Sequence, residues 1–341
     1  MAPSAVDLDR FQQRHPAVGF PLAVVYKFVD NQGNYLAAGI TYYAFVAIFP
    51  LLLIASSVLG FVMQGNPALE QKVLDSALSQ FPIVGDQLGR PEGISGSTSA
   101  VIVGALASLY GVLGLGQAGQ NAMNVVWSVP RNKRPNALLS RVRSLGLLAS
   151  AGLGLLMVAV LTSLTININA FGVDVGALIE WLLRLGAVLL TAAVLAIVFR
   201  FSTASHLTVR AALPGALFVA VLWHGLQLFG GVYVERVIAK VSSMNAVFAL
   251  VLGLIALIYL ASVIAVLGAE VNVVRARHLY PRSLLTPFTD DADLTPADRR
   301  AYRDYAKAQR HKGFQRVDVT FEPEPTEGEP RRTAPAQRPE T

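Results

Sequence analysis

Gln117, Gln120, Asn121 and Asn124 recur at i, i+3, i+4 and i+7. On a helix these amides fall within an arc of about 100° and climb about 10 Å along the axis. An amide both donates and accepts hydrogen bonds. Such a ridge either lines a polar cavity or forms a hydrogen-bonded seam with a neighbouring helix. Thr41, Tyr42 and Tyr43 form a second polar group, a few turns before Pro50. Glu270 and Asn272 close the stretch Leu267-Gly268-Ala269-Glu270-Val271-Asn272, and His224 stands one turn from Gln227. Catalytic signatures are missing: no Walker A, HExxH or GxSxG sequence is present. The five histidines, at 15, 206, 224, 278 and 311, have no metal-ligand spacing, and there is no cysteine. The residues therefore predict no enzyme, no metal and no cofactor.

Those residues sit in an apolar chain. Of 341 residues, 53% are hydrophobic and 15% charged, against about 25% charged in soluble domains. A spanning helix needs roughly 20 predominantly apolar residues. Six runs qualify: about 36–63, 99–127, 144–167, 178–199, 211–234 and 246–270. In alternating order, the segments flanking the runs hold 13 Lys/Arg on one side and 4 on the other. The richer side is cytoplasmic by the positive-inside rule, which places both termini inside. Basic loops between apolar runs point to a membrane face and away from nucleic acid. The fold class is thus an all-α membrane protein with six transmembrane helices.

This topology places the polar residues. Thr41, Tyr42 and Tyr43, the amide ridge, and Glu270 with Asn272 all map to the inner half. Pro50 predicts a kink near residues 46–50. Amides facing lipid are costly, so the ridge should face protein or water. One expectation is a single inward-opening cavity lined by these groups, with Pro50 near its upper limit and His224 and Gln227 near its floor. The other is a set of interhelical hydrogen bonds. Glu270 is expected at the end of its helix, either solvated or paired with an arginine. Gly146, Ser150 and Gly154 form a small-residue ridge that predicts close helix packing.

Flanking segments complete the organisation. Residues 20–31 read as an N-terminal interfacial helix with Pro21 at its first position. Residues 68–88 read as a short outer-face helix. The divisions are a cytoplasmic arm with the interfacial helix (1–34), a six-helix transmembrane domain (35–282) and a largely disordered cytoplasmic tail (283–341). In that tail, Thr295 and Pro296 predict the start of one exposed helix and Gly313 its stop. The Pro- and Glu-rich stretch after it reads as disordered. Such a tail is expected to be dispensable to the membrane domain.

"LAAGITYYAFVAIFPLLL", "RAALPGALFVAVLW" and "YLASVIAVLGAEVN" resemble, in order, the YihY/virulence factor BrkB family of bacterial inner-membrane proteins, over about residues 20–282. The resemblance implies six spans with both termini inside the cytoplasmic membrane. Members have carried a ribonuclease BN-like label, but this sequence shows no hydrophilic site of metal ligands or acid–base pairs to support it. By analogy, the family points to a transporter or flippase for a lipid or other amphiphilic envelope component. Membrane lipids are then the expected partners, one of them as a lipid-like substrate, with no role for nucleic acid. The alternative is a non-catalytic membrane scaffold or envelope-integrity factor.

Overall fold

The computed structural model describes residues 5–62, 98–167, 177–204, 207–236, 243–289 and 292–321. Every regular element among them is helical: α1 (Ala5–Arg14), α2 (Pro16–Asp30), α3 (Gly33–Val62), α4 (Thr98–Val126), α5 (Ala137–Asn167), α6 (Ala177–Ser202), α7 (Val209–Arg236), α8 (Ser243–Ala276) and α9 (Pro296–Ala308), with a 3-10 turn at Arg131–Lys133. The segment read as an outer-face helix, 68–88, lies outside the described residues. So does the Pro- and Glu-rich end from 322 onward.

The six helices α3 to α8 are 26 to 34 residues long. At 1.5 Å per residue, even 26 residues exceed the roughly 30 Å hydrocarbon core. Among described side chains, four stretches are long and apolar enough to cross: Ala137–Val158, Trp181–Ser202, Val209–Leu228 and Val251–Ala276. Some side chains of α3 and α4 fall outside the described set.

The packing is what lipid requires. Small residues fill the interior: Ala37, Ala47, Ala196, Ala212, Ala216 and Ala220 are fully buried. Large apolar side chains such as Leu106, Leu153, Leu182, Leu228 and Phe248 face outward. In the Trp181–Ser202 stretch only 17% of the apolar window is buried. A continuous apolar belt of this kind would aggregate in water, and in a bilayer it is the solvated surface. The chain is an all-α membrane protein.

By internal contacts the chain divides into two compact units. One comprises Phe28–Val129 and Lys133–Val273, and the other Met1–Lys27, Pro130–Asn132 and Val274–Thr341. In the first, α3 packs on α4, α4 on α5, α5 on α6 and α6 on α7. Glycines permit the approach. A Cβ on Gly111 would stand 2.8 Å from Val46 Cγ1, one on Gly116 2.5 Å from Ser144 Cβ, and one on Gly154 2.3 Å from Val194 Cγ1. Where α7 meets α8, a Cβ on Gly215 would fall 1.9 Å from the Gly268 carbonyl oxygen.

The second unit brings described residues of the N-terminal arm and of the C-terminal tail together, which read from the sequence as separate segments. Arg282 and Asp298 form an ion pair with both side chains essentially inaccessible. The other Asp298 oxygen accepts from the Ser283 N–H at 2.9 Å and the Thr295 N–H at 3.0 Å. Asp298 is also the third helical residue of α9. It completes a capping box with Thr295, as Thr295 and Pro296 forecast. From the other end of the chain, Asp9 accepts from the Leu284 N–H at 2.8 Å, and Tyr26 donates to the Leu284 carbonyl at 2.6 Å. Lys27 is buried with its ammonium 4.3 Å above the Tyr305 ring.

Three local expectations differ from what forms. Among residues 283–321, the tail expected to be largely disordered is ordered around Asp298, and α9 is not exposed on all sides. It buries Ala297, Asp298, Ala301 and Ala308 and ends before Gly313. The helix expected at the interface begins at Pro16, so Pro16 takes the first position and Pro21 lies inside. Its Val18, Val25 and Val29 remain exposed along one stripe. α8 runs to Ala276, so Glu270 and Asn272 lie within it and are fully buried.

Candidate functional site

A cavity of about 340 Å³ lies where α3, α4 and the start of α5 meet. Its lining includes Tyr43 of α3, Gln117, Gln120, Asn121 and Asn124 of α4, Arg134 and Pro135 from the following loop, and Ser140 of α5. Gly114 admits the tyrosine, since a Cβ there would stand 2.1 Å from Tyr43 Cδ1. The whole amide ridge thus reaches one cavity, yet its members do different work.

Gln120 and Asn124, one turn apart, are buried and hydrogen-bonded. Gln120 Nε2 donates to the Ser140 carbonyl at 3.0 Å and to Ser144 Oγ at 2.9 Å. Asn124 Oδ1 accepts from the Ala204 N–H at 2.9 Å. These two tie α4 to α5 and to the end of α6. Gln117 and Asn121, also one turn apart, are exposed to the cavity. Gln117 has no hydrogen-bond partner among the described residues. Asn121 Oδ1 accepts one long bond, 3.4 Å, from Arg134 Nη1. Seam and cavity are both present, on two adjacent stripes of one ridge.

The remaining candidates go elsewhere. Tyr42 is exposed and stacks edge-on against Tyr43, ring centroids 5.0 Å apart. Thr41 is buried, donating to the Ala37 carbonyl at 2.8 Å and lying 3.3 Å from Ser262 Oγ. Glu270 accepts from Asn31 Nδ2 at 2.7 Å, so this carboxylate is a buried partner in the bundle and is not solvated at a helix end. Asn272 accepts from the Gly215 N–H at 2.7 Å and donates to the Ala212 carbonyl at 3.0 Å. Pro214, inside α7, cannot donate to the helical ladder. The Asn272 amide engages backbone groups on either side of that break, which ties α8 to α7. His224 and Gln227 lie within α7 and do not line the cavity. Pro50 lies within α3.

Four of the residues that shape the cavity and the buried bonds around it were not singled out as site residues from the sequence. Ser140 and Ser144 stand one turn apart on α5, a spacing that could have flagged them. Arg134 entered only as a topological charge. Asn31 precedes α3 and carried no signal.

The sequence profile of the virulence factor BrkB family matches residues 24–290. The chain belongs to this family. The BrkB match takes in all six long helices, the cavity and the α7–α8 contact, and it ends before α9. Two relatives align over shorter stretches. The inner membrane protein YhjD of Escherichia coli (strain K12) is 28% identical over 102 residues, 29% of this chain and 30% of the relative. An uncharacterized protein of Dickeya dadantii (strain 3937) is 35% identical over 54 residues, 16% of each chain. The alignments therefore span less than a third of either relative. No solved structure matches the chain significantly. Among the described residues of this BrkB-family chain, no three His, Asp or Glu side chains gather as a metal site would need. The cavity lining holds amides, a phenol, a hydroxyl and a guanidinium, and no carboxylate or imidazole.

Proposed function

We propose that this chain is a multi-pass protein of the bacterial inner membrane that transports or flips an amphiphile, a lipid or another envelope component, without being an enzyme. In this reading it has six spans and both termini in the cytoplasm. The cavity beside α4 receives the polar headgroup. The observation that carries the reading is the division of the ridge. Gln120 and Asn124 are committed to helix packing, whereas Gln117 and Asn121 are held open beside Arg134. A neutral amide pair next to a guanidinium suits a headgroup with hydroxyl or carbonyl groups and one negative charge. The scaffold reading draws on the buried Glu270–Asn31 and Asn272–Gly215 bonds, which act as helix glue.

The test is scrambling of headgroup-labelled phospholipid in liposomes carrying the purified protein. Gln117→Leu combined with Asn121→Leu is expected to slow it roughly tenfold or more, with thermal stability unchanged. Gln120→Leu should instead lower stability by roughly 0.6–2 kcal/mol per interhelical bond lost. No scrambling by the unaltered protein would favour the scaffold, and scrambling that survives the first pair of substitutions would take the cavity out of the route.

Topology is tested separately. The chain has no cysteine, so single-cysteine labelling is clean. Cysteines at Asn66 and Gly172 should label from outside intact cells, and one at Arg134 should not. Outside labelling at 134 would overturn the orientation.

A further inference from the structure

We infer that a second groove, formed by α5 with the end of α6 and the start of α7, holds an anionic phospholipid from the inner leaflet. The groove encloses about 930 Å³. Arg143 and Gly146, Leu147 and Ser150 face it from α5, at i, i+3, i+4 and i+7, and Arg200 faces it from the end of α6. α5 and α6 touch at Gly154 and Val194, and from there toward the arginines they leave open space. A Cβ on Gly146 would meet nothing within 4 Å. Of the three small residues expected to pack a neighbour helix, Gly154 does so, and Gly146 and Ser150 line a wedge. From the Gly154 contact to Arg143 the wedge runs about 16 Å along α5.

The chemistry grades along that length. Gly146, Leu147, Phe201, Leu207 and Val209 give the groove apolar walls, and the Ser150 hydroxyl is turned back onto the Leu147 carbonyl at 2.8 Å, so an acyl chain meets little polar surface there. The mouth carries two guanidiniums, and neither is paired with an acidic side chain among the described residues. Residues 93–173 and 181–234 contain no Asp or Glu at all, so the segments forming the groove hold no acid to neutralise them. Guanidiniums bind phosphate in a forked geometry, and basic pockets between spanning helices on the inner face suit phospholipid headgroups. This site is separate from the amide cavity, and its occupant need not be transported.

The full-length protein, purified in detergent, should retain phosphatidylglycerol when examined by native mass spectrometry. Arg143→Gln combined with Arg200→Gln should bind it about thirtyfold more weakly, at about 1 kcal/mol per arginine. Arg210→Gln, which removes a nearby charge outside the groove lining, should not. Equal loss in both variants would mean general surface attraction, and retention in the double variant would remove the site. Displacement of the lipid by inorganic phosphate alone would also overturn a lipid occupant. A fluorophore on Ser150→Cys, in otherwise native protein, gives a second readout if the double variant does not fold. Bromine-tailed phosphatidylglycerol should quench it more than bromine-tailed phosphatidylcholine at equal fraction. Equal quenching would refute the inference.

Discussion

Replacing Asp298 with alanine is expected to undo the packing of the chain termini, at about 3–5 kcal/mol. Asp298 is fully buried and answers four donors: the Arg282 guanidinium, the Ser283 and Thr295 N–H groups, and the Thr295 hydroxyl at 2.8 Å. Removing it leaves Arg282 as an uncompensated buried charge and strips α9 of its capping box. Each loss is destabilising alone, the buried charge being the larger. Hydrogen exchange of residues 282–298 in detergent-purified protein should rise sharply, with faster proteolysis around residue 289. Deleting residues 290–341 should have the same effect, because the deletion removes Asp298. Unchanged protection of the Ser283 amide in either variant would show that the ion pair is not holding this unit. The composition of the tail suggested that the membrane domain could do without it, and the buried carboxylate predicts that the second unit cannot.

Gly215→Ala is the second large expected effect, and its sign opposes intrinsic propensity. In an exposed helix interior, Gly→Ala stabilises by about 1 kcal/mol. Here the added methyl would fall 1.9 Å from the Gly268 carbonyl oxygen and 2.7 Å from the Asn272 Nδ2. The nearest obstacle is backbone and cannot rotate away, so α7 and α8 must separate. Overpacking alone costs about 1–3 kcal/mol. Separation also breaks both Asn272 hydrogen bonds and leaves the fully buried Asn272 amide short of partners, which adds about 1–3 kcal/mol. A large drop in melting temperature and yield is expected. Gly225 lies on the same helix, and a Cβ there would meet nothing within 4 Å. Gly225→Ala should be neutral or slightly stabilising, and equal damage from both substitutions would contradict this account of the crossing.

The sequence carried local features well. Each apolar run became a helix, because length and hydropathy are properties of the run itself, although α5 begins seven residues before and α8 ends six residues after the run that predicted it. The start of α9 was legible because a capping threonine followed by proline is contained within two residues. The ridge on α4 was legible as a ridge, because helical periodicity fixes which side chains share a face.

Partners were not legible, since periodicity does not say which helix stands opposite each turn. The four amides of α4 have one composition and one phase. Only the positions of Ser140, Ser144 and Ala204 decide that Gln120 and Asn124 are tied down while Gln117 and Asn121 stay open. Gly146 and Ser150 read as packing residues, and only the divergence of α5 from α6 turns them into a groove lining. Glu270 and Asn31 are 239 residues apart, and Arg282 meets an aspartate beyond the stretch matched by the family. By itself the sequence determined a helical membrane chain and the placement of its polar groups along each helix. The tertiary structure decided which of those groups are satisfied, because a buried polar group takes its partner from whichever element packs against it, and that element lies far away in the chain.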